Sequence, residues 1–152
     1  MSTVFLAQDP DFEQRVRESF AEQRLMQLIG ARIVKLAPGE CEIEIPTRPD
    51  LTQQDGFMHA GIVTTILDSS CGYAAYSLMP SGSRVLSVEF KVNLLAPAKG
   101  EMIHATARVK RSGRTLTVCT ADAFADDTIC ATMLATIMCL DPAQKPISEG
   151  RS

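Results

Sequence analysis

The segment GFMHAGIVTTILDSSCGYAAY, residues 56–76, contains no proline and, with His59 neutral, one side chain that is charged at pH 7, Asp68. Apolar and aromatic residues recur at helical spacing, as at Ile62, Ile66 and Tyr73, which indicates one long helix. The rest of the segment carries mainly small or apolar side chains, which is typical of a buried helix. Because an ionised carboxylate is costly to bury without a partner, Asp68 is the first candidate functional residue.

One strip of this helix consists mainly of small residues and includes the acidic one: Ala60, Thr64, Asp68, Cys71, Gly72 and Ala75. Residues three and four positions apart lie on one side of a helix, so these side chains form a continuous surface. Small side chains permit close approach. We therefore expect this strip to contact a second copy of the chain.

Length and charge narrow the class of protein. The 152 residues are expected to form a single domain over 1–152, with its core in about 20–140. A net charge of −3, a pI near 5.4 and scattered Lys and Arg argue against a nucleic-acid partner. The sequence predicts no signal peptide and, lacking a long apolar run, no membrane partner. We therefore expect a cytoplasmic protein.

The cysteines and histidines form no recognisable disulfide or metal-binding pattern. The five cysteines are odd in number and none belongs to a CxxC motif. Reduced cysteines that pack in the core of a cytosolic protein are the better interpretation. With two histidines and no His/Cys cluster, the sequence predicts no metal site.

The segments on either side of the central helix predict an α+β fold. Asp9 and Pro10 are typical of a helix start, and Gly30 is typical of a helix end, so one helix is predicted between them. Two strands are predicted after it, at 32–36 and 40–45. After the central helix only strand patterns remain, at 83–95, 101–110, 114–124 and 128–140. This order favours one antiparallel sheet wrapped over one buried helix.

In this order and at this spacing, the motifs resemble the hotdog-fold acyl-CoA thioesterases, especially the phenylacetate-degradation (PaaI-like) branch. GFMHAGIVTTILDSSCGYAA is similar to the family signature, roughly G-x-x-H-G-G followed by an acidic residue in the next helix. SVEFKVNLLAPA (87–98) and SGRTLTV (112–118) also match. The resemblance implies a hotdog fold, here with an extra N-terminal helix. It also implies hydrolysis of acyl-CoA by a homodimer or homotetramer, without metal or organic cofactor.

The resemblance also implies the catalytic residues. The acid that matches Asp68 acts in the family as general base on water or as nucleophile. The backbone N–H of Ala60 would polarise the thioester carbonyl, since a helix start offers unpaired N–H groups and partial positive charge. Ser87 matches a position that can hold the attacking water. Gln53 and His59 resemble groups that orient the turn or the thioester.

The expected substrate contacts are Gly61 and the turn residues Arg111 and Arg114, which in the family lie near the phosphates of the coenzyme. Two positions depart from the family pattern. Ala60 stands where glycine is usual, and Gln53 stands where asparagine is common. Neither departure removes the backbone donor or the side-chain amide.

Spacing along the central helix bears on how such a site is assembled. Asp68 follows Ala60 by eight residues, which is roughly 12 Å along a helix axis. Two groups that far apart on one helix cannot easily serve one carbonyl. We therefore expect each site to combine Gln53, His59 and Ala60 of one subunit with Asp68 and Ser87 of the other.

Simpler roles exist for these residues. Asp68 could face solvent or pair with a lysine, and His59 could only bind loop atoms at the helix start. Ser87 could be an ordinary strand serine, and Arg111 and Arg114 could simply be solvated.

Two other functions stay open on the sequence: a hotdog hydratase or dehydratase acting on acyl thioesters, and a non-catalytic acyl-CoA-binding protein.

Overall fold

The computed structural model describes residues 4–143. Three α-helices, one short 3₁₀ turn (Pro49–Leu51) and six strands follow in the predicted order. The helices are α1 (Phe12–Glu22), α2 (Arg24–Ile29) and α3 (Ala60–Tyr76). The strands are β1 (Arg32–Ala37), β2 (Glu40–Pro46), β3 (Arg84–Leu94), β4 (Met102–Ser112), β5 (Leu116–Ala125) and β6 (Thr128–Leu140).

The six strands form one curved antiparallel sheet in the order β1-β2-β4-β5-β6-β3, and α3 packs across it. Burial alternates along the strands, so that β2 and β4 each place one set of side chains under the helix: Cys41, Ile43, Ile45, Ile103, Ala105 and Ala107. The predicted α+β hotdog fold is therefore confirmed. No helix within residues 4–143 is both long and apolar enough to cross a membrane.

The N-terminal helix is broken, whereas the sequence pattern predicted one continuous helix ending at Gly30. Gln23 has ψ 98°, an extended conformation, and its N–H donates to the Phe20 carbonyl at 3.1 Å. Val16 in α1 and Ile29 in α2 are both buried. A continuous helix with 3.6 residues per turn would rotate Ile29 far from the face of Val16. The break lets both helices bury their apolar sides.

Part of the small-residue strip of α3 faces the protein's own sheet. Cys71 and Ala75 have no solvent exposure, and the Cys119 thiol of β5 lies 3.6 Å from the Cys71 carbonyl oxygen. The other members of the strip, such as Asp68 and Gly72, are half-buried. The contact of this strip with a second copy stays a prediction, and it involves only the half-buried members.

Strand β3 forms one edge of the sheet and leaves apolar side chains exposed on the core side. Phe90 and Leu94 pair with Ala135 and Ala131 of β6, which are buried. The same two β3 side chains are 45% and 58% exposed, since α3 does not extend over them. The core face of the sheet is thus incompletely covered along this edge.

A half-buried arginine, Arg15, joins the N-terminal segment to the end of α3. Arg15 Nε donates to Asp9 Oδ2 at 2.7 Å, and its Nη2 donates to the Met79 carbonyl at 2.9 Å. The guanidinium lies 4.3 Å from the centre of the Tyr76 ring. The hydrogen bond from the Asp11 N–H, and secondly the hydrogen bond from the Arg15 side chain, lower the pKa of Asp9.

We expect Asp9→Asn to lower the melting temperature by a few degrees at pH 7. A carboxyl with a lowered folded-state pKa stabilises the fold above its unfolded pKa, and this contribution is lost as pH falls through the folded value. The difference between the variant and the wild type should therefore shrink near pH 3, as measured by thermal denaturation followed by circular dichroism. Asp11→Asn is the control, because the Asp11 side chain makes no cap hydrogen bond. An Asp9→Asn deficit that is equal at both pH values would contradict the ion-pair explanation.

Candidate functional site

The first turn of α3 is organised by His59, which is its N-cap residue. His59 has φ −61° and ψ 134°, and its Nδ1 accepts a hydrogen bond from the Gly61 N–H at 2.9 Å. The His59 N–H donates to the Leu51 carbonyl at 2.9 Å. In the neutral ring this geometry places the proton on Nε2. These hydrogen bonds are the ones that the simpler loop-binding role of His59 requires, and the Gly61 N–H is already engaged.

The backbone N–H of Ala60 has no hydrogen-bond acceptor among residues 4–143. Ala60 is half-buried and lines a cavity of about 410 Å³. The other lining residues are mainly apolar. They come from the loop before α3, α3 itself, the end of β3 with the loop after it, and β6: Gln53, Phe57, Met58, Val63, Leu94, Leu95, Ala96, Pro97, Ala98 and Cys130. A free N–H at a helix start is suited to bind an oxygen that carries negative charge.

Gln53 shapes the loop that precedes α3. Its backbone N–H donates to the Phe57 carbonyl at 2.9 Å, and its Oε1 accepts from the Asp55 N–H. Gly56 adopts φ +82°, which is a conformation that glycine tolerates best. Gln53 and Ala60 line the same cavity, so the structure brings these two predicted residues together.

Asp68 and Ser87 form a second pair of predicted site residues. The Ser87 hydroxyl donates a hydrogen bond to Asp68 Oδ1 at 2.6 Å, a length typical of a charge-assisted hydrogen bond. The other carboxylate oxygen of Asp68 has no partner among the described residues. Both side chains line a cavity of about 320 Å³. The lysine partner considered above is absent from the described ion pairs.

The two pairs line different cavities of the chain. Gln53 and Ala60 lie in the cavity at the start of α3, whereas Asp68 and Ser87 lie in the cavity beside its middle. Sequence reasoning had not placed Gln23 and Arg84 beside Asp68, although both line its cavity. The break in the N-terminal helix, which the sequence pattern did not indicate, brings Gln23 there.

Arg111 and Arg114 are both exposed and lie around the turn between β4 and β5. Within residues 4–143 neither forms an ion pair. Arg114 lines a further cavity of about 450 Å³ near the end of α3, with Ser83 and Asp141. The structure therefore separates Arg114 from the cavities that hold Ala60 and Asp68.

We expect His59→Asn to keep most of the stability and turnover, and His59→Ala to destabilise the fold by about 1 kcal/mol. Asparagine can accept the Gly61 N–H bond as an N-cap, whereas alanine cannot. Urea denaturation and steady-state kinetics measure the two effects. A large loss of turnover in a stable His59→Asn variant would indicate that the imidazole takes part in the chemistry.

Comparisons with known proteins give the family of this chain. A family model described as the thioesterase superfamily matches residues 55–132, more than half of the sequence. Human acyl-coenzyme A thioesterase 13 is 31% identical over 91 residues, which are 59% of this chain and 64% of the human protein.

Solved structures agree with this family. A thioesterase family protein from Silicibacter pomeroyi is 55% identical, with a TM-score of 0.83 over 85% of this chain and 98% of that one. The PaaI protein of Escherichia coli shares the fold, with a TM-score of 0.79 at 15% identity over 86% of this chain and 94% of that one. With its hotdog fold and these similarities, the chain belongs to the thioesterase superfamily, and its activity is the hydrolysis of acyl thioesters.

Proposed function

We propose that the protein hydrolyses acyl-CoA thioesters in a site that two copies of the chain build together. The observation that carries the proposal is the 2.6 Å bond from Ser87 to Asp68, in a cavity separate from the free Ala60 N–H. The proposal that coenzyme A is the thiol part of the substrate rests on the similarity to human acyl-coenzyme A thioesterase 13.

Asp68 acts as the general base in this proposal. Ser87 binds one carboxylate oxygen and fixes its orientation, which leaves the second oxygen to accept a proton from water. The water oxygen bonds to the thioester carbon, and the carbonyl oxygen becomes negatively charged. When the carbon–sulfur bond breaks, the CoA thiolate leaves and takes the proton from Asp68. In the alternative, Asp68 itself attacks the thioester carbon, forms a mixed anhydride and releases the CoA thiolate. Attack of heavy-isotope water on the Asp68 carbonyl of this anhydride would then leave the label in the Asp68 carboxylate.

The N–H of the partner copy's Ala60 stabilises the negative oxygen. A donor of this kind is typically worth about 3 kcal/mol of activation free energy. Gln53 and His59 hold the loop and the first helical turn in position. Gly61 leaves room for the imidazole, since a Cβ at Gly61 would lie 3.0 Å from His59 Nδ1.

The sheet edges support the choice of β3 as the surface where the two copies meet. The opposite edge, β1, carries charged side chains that pair with β2, such as Lys35 with Glu40 at 3.1 Å. Charges of this kind discourage edge-to-edge pairing. On β3, Phe90 and Leu94 are exposed and apolar. Two β3 strands paired across a two-fold axis would make a homodimer with one continuous sheet.

Arg111 and Arg114 bind the phosphates of the coenzyme in this proposal. Their guanidinium groups have no ion-pair partner in residues 4–143 and lie on an exposed turn. Arginine binds phosphate oxygens through paired N–H groups, which suits this role.

Incubation with a panel of acyl-CoAs and a thiol-detecting reagent tests the proposal. Release of free CoA from at least one acyl-CoA, absent with heat-denatured protein, is the expected result. Conversion of the acyl group without thiol release would instead indicate a hydratase or dehydratase. Tight binding without any conversion would indicate an acyl-CoA-binding protein, and either outcome would contradict the proposal.

A further inference from the structure

The cavity that contains Asp68 is lined largely by polar groups beyond the proposed catalytic pair. It lies between the N-terminal helices, α3 and β3. Its polar lining beyond that pair includes Ser19, Gln23, Ser69, Tyr73 and Arg84. Ligand cavities are usually lined mostly by apolar side chains, with few polar groups that set orientation and specificity. So polar a lining suggests that this cavity selects a ligand with its own polar atoms.

The hydroxyl of Tyr73 is the centre of the hydrogen-bonding groups in this cavity. It lies 3.4 Å from Ser19 Oγ and 3.5 Å from Gln23 Nε2. Gln23 Oε1 also accepts from the Ser69 hydroxyl at 3.4 Å. These distances are longer than those of strong hydrogen bonds. Each group can therefore exchange its long contact for a shorter one to a bound oxygen.

Burial keeps Tyr73 suited to donate a hydrogen bond. Only 4% of its surface is exposed, and the Phe20 ring packs edge-on against it with 5.6 Å between ring centres. Burial raises the pKa of Tyr73, so its hydroxyl stays protonated at neutral pH. The packing against Phe20 fixes the ring, and the hydroxyl therefore occupies a defined position.

Size and charge indicate what this cavity can hold. Its volume of about 320 Å³ is at the small end for ligand sites. The backbone positions of Asp68 and Tyr73 are five residues apart, about 7.5 Å along the helix, and an acyl group of several atoms spans a distance of this order. A carboxylate on the ligand would be repelled by Asp68. The positive charge of Arg84 offsets this repulsion little, because Arg84 is exposed to solvent that screens its charge. An uncharged polar group fits best.

We infer that this cavity takes the acyl group, and that Tyr73, Ser19 and Gln23 select short acyl groups with an uncharged hydroxyl or carbonyl oxygen at the far end. The inference rests on the proposed acyl-CoA hydrolysis, because Asp68 defines where the carbonyl lies. Gln23 is a specificity residue that the break between α1 and α2 presents to the substrate. The N-terminal helices thereby contribute to substrate choice.

Pairs of substrates that differ by one hydroxyl test this inference. Butyryl-CoA and hexanoyl-CoA are compared with the same compounds carrying a hydroxyl on the terminal carbon, and kcat/KM is measured for each. Since one net hydrogen bond contributes about 1 kcal/mol, the wild type should prefer at least one hydroxylated member by about five- to tenfold. Acetyl-CoA is the reference, because its acyl group is too short to reach Tyr73.

Two variants test whether the Tyr73 hydroxyl and the Gln23 amide cause the preference for hydroxylated substrates. Tyr73→Phe removes one hydroxyl, and Gln23→Leu removes the amide from a residue that is largely exposed. Both should abolish the preference, because kcat/KM for the hydroxylated substrates falls to the value for the unsubstituted ones. The control is Gln14→Leu, which changes a glutamine of α1 whose side chain binds Glu18 outside the cavity. Thermal denaturation verifies that each variant is folded.

Two results would overturn the inference, and they differ from each other. Release of CoA from every substrate with no preference for the hydroxylated members, or with a preference that both variants keep, rejects the polar acyl site alone. No release of CoA from any acyl-CoA rejects the proposed function as well.

Discussion

Asp68→Asn should lower turnover by about 10²–10⁴-fold, which is the usual contribution of a positioned acid or base. The amide keeps the size of the carboxyl group and can still contact the Ser87 hydroxyl, so the fold should persist. It cannot take a proton from water. The effect should fall on kcat, measured by CoA release at saturating substrate, because the base acts on water and not on substrate binding.

Asp127→Asn is the matched control for this substitution. Asp127 is exposed in the turn between β5 and β6, away from the cavity of Asp68. This carboxyl-to-amide change should leave turnover within about twofold of the wild type, as expected for surface substitutions. A folded Asp68→Asn variant with near-normal turnover would remove Asp68 from the mechanism.

Ala60→Pro should reduce activity by about 10²–10³-fold with little loss of stability. Proline lacks the N–H that is proposed to bind the oxyanion, and loss of one such donor typically has this effect. The backbone accepts the change, because proline is favoured in the first turn of a helix. His59, the residue before it, already has the extended ψ of 134° that a following proline requires.

Ala60→Gly is the control for the proline variant, since glycine keeps the backbone N–H. It should retain activity within a few-fold of the wild type in the CoA-release assay. If Ala60→Pro were folded and fully active, the assignment of this N–H as the oxyanion donor would be wrong.

Mixing the two inactive variants tests whether the site is shared. In a mixed dimer of Ala60→Pro and Asp68→Asn chains, one shared site carries both substitutions and the other carries neither. Mixed dimers isolated with two different affinity tags should therefore recover about half of the wild-type activity. Dimers that are confirmed as mixed yet remain as inactive as their parents would place each site within one chain.

The family and the main elements of the fold follow from short-range patterns in the sequence. The apolar spacing and lack of proline in 56–76 predicted the central helix, and alternation predicted the strands. These patterns suffice because a helix and a strand each expose a fixed set of positions to one side. The motif order around Asp68 pointed to the thioesterases, which the family match confirmed.

The position of the N-terminal helices was decided by packing. Nothing in the local pattern at Gln23 marks a break, since it is neither glycine nor proline. The chain leaves the helix there because Val16 and Ile29 must both reach the core, which depends on where the sheet lies. The same packing turns Cys71 and Ala75 of the small-residue strip inward.

The sequence by itself determined the hotdog order of elements, the buried helix with its single acid, and the helix start at Ala60. Local spacing encodes all three. The sequence grouped Ser87 with Asp68, but only the tertiary structure decided that Ser87 donates a hydrogen bond to Asp68, and that Gln23 and Tyr73 border the same cavity. The contact of Ser87 with Asp68 spans 19 positions of the sequence, and the contacts of Gln23 in this cavity span 46 or more. They form only when α3, β3 and the broken N-terminal helix pack together. Packing of that kind depends on the whole core, which no single stretch of sequence specifies.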